Sequence, residues 1–198
     1  MKKQKVKSKT KSFREQFGEA LDYLRASKNY IFAVAFIFIG GILLGFIFSE
    51  QFTFLDEILK QLVEQIKGLD TSGIILFILQ NNLKSAFYGM IFGVLLGIFP
   101  VINSISNGLI LGYVMKGVWL DSGAHEFWRI LPHGIFELPA VFISLALGLK
   151  LGMFIFSKNK LKEFIERARN SMIIFVFIVI PLLIIAAIIE GLLIAAYK

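Results

Sequence analysis

The sequence predicts an all-α, polytopic transmembrane helical bundle of about five spans with additional interfacial amphipathic helices. Hydrophobic residues make up 57% of the 198 residues, 21 of them are Phe, and the mean hydropathy is +0.75, whereas soluble domains contain about 45–50% apolar residues. Several apolar runs approach the roughly 20 residues that a helix needs to cross a bilayer. The chain has no cysteine, which excludes disulfides, a thiolate nucleophile and a zinc–thiolate site.

Basic residues flank the apolar runs and give the chain a net charge of +7. This placement is typical of residues that orient a membrane protein, so we expect no nucleic-acid partner. Residues 1–29 are predicted as a basic cytoplasmic arm, and Ser12 with Glu15 as the capping box of a short amphipathic helix within it. The arm either binds anionic membrane lipid or only fixes the orientation.

Residues 30–198 are predicted as the membrane domain, with spans at about 30–49, 86–99, 102–119, 132–152 and 171–191. An amphipathic helix at 53–69 carries a net acidic charge and is predicted on the outer surface. The basic connector at 157–170 is predicted on the inner surface by the positive-inside rule. These assignments place the chain in the plasma membrane with a cytoplasmic N-terminus and an external C-terminus.

Glycines recur at four-residue spacing on several spans. Gly89, Gly93 and Gly97 form a double GxxxG repeat, and further packing positions are predicted at Gly108, Gly112 and Gly148. Such small faces let helices approach backbone to backbone. Because they exceed what five helices of one chain obviously need, we expect a homo-oligomer, in the form of a dimer.

A second group of residues is polar within apolar segments. His133 and Glu137 lie one helical turn apart near the start of the fourth span, where an ionisable side chain costs roughly 2.5 kcal/mol or more unless it finds a partner. The predicted topology brings Asn82 and Glu190 to the same level, so these four residues are predicted to cluster near the outer leaflet. Asn103 and Asn107 are predicted nearer the inner side, either as interhelical hydrogen-bonding residues or as the lining of a polar path.

Four stretches together resemble the stage II sporulation protein M family: PHGIFELPA, QNNLKSAFYGMIFGVLLGI, NSISNGLILG and the glutamate at 190. The resemblance runs from about residue 79 to residue 198, whereas the first 78 residues fit in layout alone. It implies an all-helical membrane fold. In sporulating bacteria, it also implies a membrane-embedded member of an engulfment complex with peptidoglycan-degrading partners.

Three functions are consistent with these residues. The first, which the sequence favours, is a non-enzymatic anchor or scaffold for envelope-remodelling proteins, in which the polar cluster is structural; the other two are alternatives. The second is a carrier of a small ion or solute, either proton-coupled or binding a divalent metal such as zinc or manganese at His133, Glu137 and Glu190. The third is an intramembrane hydrolase with the same three residues as zinc ligands. The hydrolase lacks a candidate general base and the HExxH and GxSxG motifs, so we predict a protein that is not an enzyme.

Overall fold

The computed structural model describes residues 12–123, 125, 127 and 131–196, and for residues 131–133 it describes the backbone alone. These residues form helices and contain no β-strand. The helices are α1 (Phe13–Arg25), α2 (Lys28–Ile47), α3 (Phe54–Ile66), α4 (Thr71–Ile91), α5 (Ile98–Ser122), α6 (Leu131–Gly152), α7 (Lys160–Ile174) and α8 (Ile180–Ala196). A π-helical turn at Phe175–Val179 joins α7 to α8 in one continuous helix.

Five helical segments are long and apolar enough to cross a membrane, which confirms the predicted fold class. They are Lys28–Ile47, Thr71–Val94, Ile98–Ser122, Gly134–Phe156 and Lys160–Ala196. Because consecutive spans alternate in direction, α1, the α4–α5 turn and the α6–α7 turn share one side of the bundle, here called the N-terminal side. Helix α3 and the ends of α5 and α8 share the opposite side, here called the C-terminal side.

The second span differs from its prediction. The prediction began this crossing at residue 86 because polar residues at 80–84 interrupt the apolar run, but α4 is unbroken and the candidate span covers Thr71–Val94. The side chain of Asp70 caps its start by accepting a hydrogen bond from the Gly73 N–H at 2.8 Å. Asn82 therefore lies about 16 Å along the helix from Thr71, near the middle of this candidate span.

Gly97, predicted as the third glycine of a packing stripe, packs against Leu149 and Gly152 of α6 and also forms the turn between α4 and α5. Its φ is +71° and that of the preceding Leu96 is +59°, a left-handed conformation that favours glycine and reverses the chain. The reversal therefore precedes Pro100, which lies in the first turn of α5, where its missing N–H leaves no hydrogen bond unmade.

Helices α2 and α5 cross backbone to backbone at four glycines: Gly41, Gly45, Gly108 and Gly112. A Cβ on Gly41 would lie 2.6 Å from the carbonyl oxygen of Ile105, and one on Gly45 would overlap the Leu109 carbonyl group. The crossing is fastened by Ser104, whose hydroxyl donates to the Val34 carbonyl at 2.9 Å.

Helices α4 and α6 form a second close crossing. A Cβ on Gly93 would overlap the backbone of Gly148, one on Gly148 would lie 2.6 Å from the Gly89 carbonyl oxygen, and Gly89 itself faces the Leu145 side chain. The Ser144 hydroxyl donates to the Ala86 carbonyl at 2.7 Å across the same contact. The glycine stripes are thus used within one chain, so they no longer argue for the dimer, which stays a prediction without that support.

Helix α1 packs on the last helix. Ala20 is fully buried against the core, the Arg169 guanidinium pairs with the Glu19 carboxylate at 2.9 Å, and Phe13 and Phe17 contact the Phe177 ring edge to face. The amphipathic face predicted for this helix therefore contacts protein. Residues 1–11 of the predicted basic arm lie outside the described residues.

Lys150 connects three segments at the N-terminal side. Its Nζ donates to the Tyr23 carbonyl at 3.1 Å and to the Ser27 hydroxyl at 2.9 Å, and it lies 3.7 Å from the centre of the Tyr23 ring. The Lys150 carbonyl in turn accepts a hydrogen bond from Arg167 at 2.8 Å. These contacts hold the α1–α2 junction against α6 and α7.

Burial raises the pKa of the Tyr23 phenol to about 12. Its hydroxyl lies near Ser171 but outside hydrogen-bond geometry with any described residue. The pKa in the unfolded chain is close to 10, so the unfolded chain loses this proton first. We expect the free energy of unfolding to be unaffected by Tyr23 below pH 10 and to fall as the pH rises from about 10 to about 12.

The variant Tyr23→Phe should lose this part of the alkaline decline. It should also be as stable as the parent at neutral pH, or about 1 kcal/mol more stable, because an unpartnered buried hydroxyl is removed. Denaturant titrations between pH 8 and 12 measure both effects, with Tyr88→Phe, at an exposed tyrosine of α4, as the control. An unchanged alkaline decline in Tyr23→Phe would contradict the assignment.

Candidate functional site

A cavity of about 410 Å³ lies between α2, α4, α5 and α6, within the size range of small-molecule sites. Five polar residues line it: Asn81, Asn82, Ser85, Asn107 and Glu137. The remaining wall is apolar and consists of Phe38, Leu111, Met115, Phe127, Gly134, Ile135, Leu138 and Val141. The cavity thus brings polar side chains from three different spans together at membrane depth.

A larger groove of about 1290 Å³ lies between α1 and α7 on the N-terminal side. It is open, and half of its lining residues are charged; among these, Arg169 and Glu19 pair with each other. Charged side chains at such a surface are well solvated. The cavity between the spans is therefore the stronger candidate for a binding site, since solvation there has to come from a ligand, an ion or water.

Helix periodicity explains how α4 and α5 line the cavity. Asn82 and Ser85 are three residues apart on α4 and share a face, and the close crossing of α4 with α6 brings this face near Glu137. On α5, Asn107, Leu111 and Met115 follow one another at four-residue spacing and present one continuous stripe to the cavity.

A side-chain network holds the amide-lined wall in place. The Asn107 amide donates to the Asn103 side-chain oxygen at 2.7 Å and to its backbone carbonyl at 3.0 Å. The Asn103 amide donates to the Ser85 hydroxyl at 3.2 Å and so links α5 to α4. Sequence analysis separated this asparagine pair from Asn82 and Glu137, but the structure places Asn107 in the same cavity because α4 is unbroken and Asn82 lies deeper than predicted.

Glu137 is half-buried and lines the cavity. Within the described part of the chain, no side chain donates a hydrogen bond to its carboxylate. Glu190, on α8, lies close enough for the charges of the two carboxylates to interact. A carboxylate at this depth attracts a cation.

The side chain of His133 lies outside the described residues, although its backbone belongs to the first turn of α6. The predicted metal site of His133, Glu137 and Glu190 therefore stays a prediction. Among the residues whose side chains are described, no group of three His, Asp or Glu is arranged to hold a metal ion.

Sequence reasoning missed several lining residues. Ser85 lies three positions after Asn82, and Leu111 and Met115 continue the spacing of Asn107, so helical periodicity could have identified all three. Phe127 comes from the segment after α5 and has no periodic signal.

Comparison with known proteins matches this chain to one family. The family model described as stage II sporulation protein M matches residues 34–193, a range that includes every described residue lining the cavity. The uncharacterized protein MJ0706 of Methanocaldococcus jannaschii is 31% identical over 182 residues, which cover 83% of this chain and 81% of that protein. The uncharacterized protein MJ0793 of the same organism is 33% identical over 119 residues, covering 57% of this chain and 66% of that protein. No solved structure matches the chain.

Proposed function

The chain belongs to the stage II sporulation protein M family, and on that premise we propose that it is a non-enzymatic carrier of a small ion or solute. The ligand binds in the cavity between α2, α4, α5 and α6, with Glu137 as the principal binding group. The N-terminal side is cytoplasmic in this proposal, because the basic residues concentrate there, and the membrane is the plasma membrane.

One observation supports the proposal most directly. Glu137 and Asn82 face a common cavity at membrane depth, and neither receives a hydrogen bond from another described side chain. Polar groups that face a cavity in a low-dielectric environment require a partner, because an unpaired group there costs several kcal/mol. A ligand, an ion or ordered water that meets them removes this cost, so the cavity is suited to binding.

The helices around the cavity also favour movement of a ligand. Asn103 extends the polar surface from Asn107 towards the N-terminal side. Pro139 lies inside α6, and a π-helical turn precedes Pro181 in the helix that carries Glu190. Irregular helices of this kind recur at transporter sites because they change shape with little loss of backbone hydrogen bonding.

The test uses the full chain reconstituted in liposomes that contain either a pH-sensitive dye or a dye sensitive to Zn²⁺ and Mn²⁺. We expect protein-dependent flux of at least one of these ions. The near-isosteric variants Glu137→Gln and Asn82→Leu should lower it at least tenfold, whereas Glu57→Gln, at an exposed site on α3, should match the parent. Folded cavity variants with undiminished flux would contradict the carrier function.

The second candidate is a scaffold for envelope proteins, and helix α3 favours it. Its apolar side chains Phe54, Ile58, Leu62 and Val63 are exposed, and the Tyr113 hydroxyl donates to Asp56 at 2.7 Å, which fastens α3 to α5. A scaffold should keep its protein partners in Glu137→Gln and lose them in Val63→Glu. A carrier should instead lose ion flux in Glu137→Gln and keep normal ion flux in Val63→Glu.

A further inference from the structure

The lining of the cavity is segregated along α5. Asn107 lies near the middle of that helix, and the two following positions on its stripe, Leu111 and Met115, are apolar. The stripe changes from polar to apolar over about 12 Å from Asn107 to Met115. Phe127 and Ile135 continue the apolar wall towards the C-terminal side. A ligand that lies along this stripe therefore has a polar part at Asn107 and an apolar part at Leu111 and Met115.

The charge of the polar end follows from the ionisable groups. Glu137 is the one ionisable side chain among the described residues that line the cavity. Amide oxygens from Asn82 and Asn107 provide further hydrogen-bond acceptors. Phe38 and Phe127 add aromatic faces, which attract organic cations. All of these groups favour a positively charged end with N–H donors.

Two other ligand classes fit the cavity less well. A bare metal ion prefers several hard ligands around it, and it would leave most of the 410 Å³ and the whole apolar wall unfilled. A bilayer lipid keeps its head group at the membrane surface and its chains in the middle. The stripe on α5 has the opposite order, since Asn107 is central and Met115 lies nearer the helix end.

Building on the proposed function, we propose that the ligand of this cavity is an organic cation with an apolar body, such as a substituted ammonium ion. Its N–H groups bind Glu137 with help from Asn82 and Asn107, and its apolar part lies against Leu111 and Met115.

The probe is benzylammonium, because benzoate and benzyl alcohol have nearly the same shape with a negative charge or no charge. Thermal unfolding of the full chain in detergent reports binding, since a ligand that binds the folded state raises the midpoint in a saturable way. We expect benzylammonium to stabilise the protein and the other two compounds to have no saturable effect. Glu137→Gln should weaken the apparent affinity at least tenfold, and the control Glu57→Gln should leave it unchanged.

A second variant tests the apolar wall without touching the carboxylate. Met115→Gln preserves side-chain length and should weaken the affinity for benzylammonium severalfold. The affinity for methylammonium, which has little apolar body, should stay unchanged. Equal weakening of both amines would overturn the assignment of this wall. Saturable binding of benzyl alcohol that persists in Glu137→Gln would overturn the assignment of a cationic ligand.

The results also separate this inference from the proposed function. Ion flux that depends on Glu137, with no benzylammonium binding, would overturn the organic-cation ligand and leave the carrier intact. Benzylammonium binding without ion flux would overturn the carrier of protons or metal ions and leave the organic-cation site intact, and absence of both binding and flux would overturn the two together.

Discussion

Replacing Gly45 by Val is expected to lower the free energy of unfolding by about 3 kcal/mol or more, the upper end of the range for overpacked sites. A Cβ at this position overlaps the backbone carbonyl of Leu109 on α5. Main-chain atoms of a regular helix cannot rotate away as a side chain can, so α2 and α5 have to separate. Their separation also breaks the hydrogen bond between Ser104 and Val34.

Gly40 provides the matched control, because it belongs to the same helix and has nothing within 4 Å of an added Cβ. We expect Gly40→Val to change the stability by less than about 1 kcal/mol, since valine has a somewhat better helix propensity than glycine. Unfolding in mixed micelles of increasing denaturing-detergent content compares the two variants. Equal losses of stability in the two variants would mean that helix propensity, and not the close crossing, determines the change in the free energy of unfolding.

The fold was predictable from the sequence because the spans are long apolar runs, and their hydropathy is a local property. The exception is α4, where polar residues at 80–84 suggested a break that does not exist. Asn82 and Ser85 are tolerated within the span because they line a cavity formed with α5 and α6. Knowing this requires the neighbouring helices, which a local reading of one segment does not provide.

The same limit applies to the glycines. The spacing of Gly93 and Gly148 indicates close packing, but two stripes that match each other are indistinguishable in sequence from stripes that match another copy of the chain. The structure pairs them within the chain. In the site, periodicity identified Glu137 and Asn107 as members of polar faces, whereas their common cavity depends on the tertiary arrangement.

Replacing Arg167 by Met should lower the free energy of unfolding by about 3 kcal/mol, which is the second large loss of stability that we expect. The guanidinium donates to the Glu163 carboxylate at 3.0 and 3.1 Å, to the Lys150 carbonyl at 2.8 Å and to the Ser157 hydroxyl at 3.2 Å. Its side chain is 17% exposed and that of Glu163 is 42% exposed. The variant therefore leaves a partly buried carboxylate and the end of α6 without their donor.

Arg25 is the appropriate comparison, because its pair with Asp22 is also within one helix but both side chains are at least 75% exposed. Arg25→Met should cost less than about 1 kcal/mol, as solvent screens such pairs. If Arg167→Met and Arg25→Met lower the free energy of unfolding in detergent by the same small amount, the Arg167 contacts do not hold α6 against α7. A large loss of stability in Arg167→Met alone means that these contacts fix the C-terminal end of α6. Because Glu137 belongs to the same helix, the variant should then also weaken binding in the cavity.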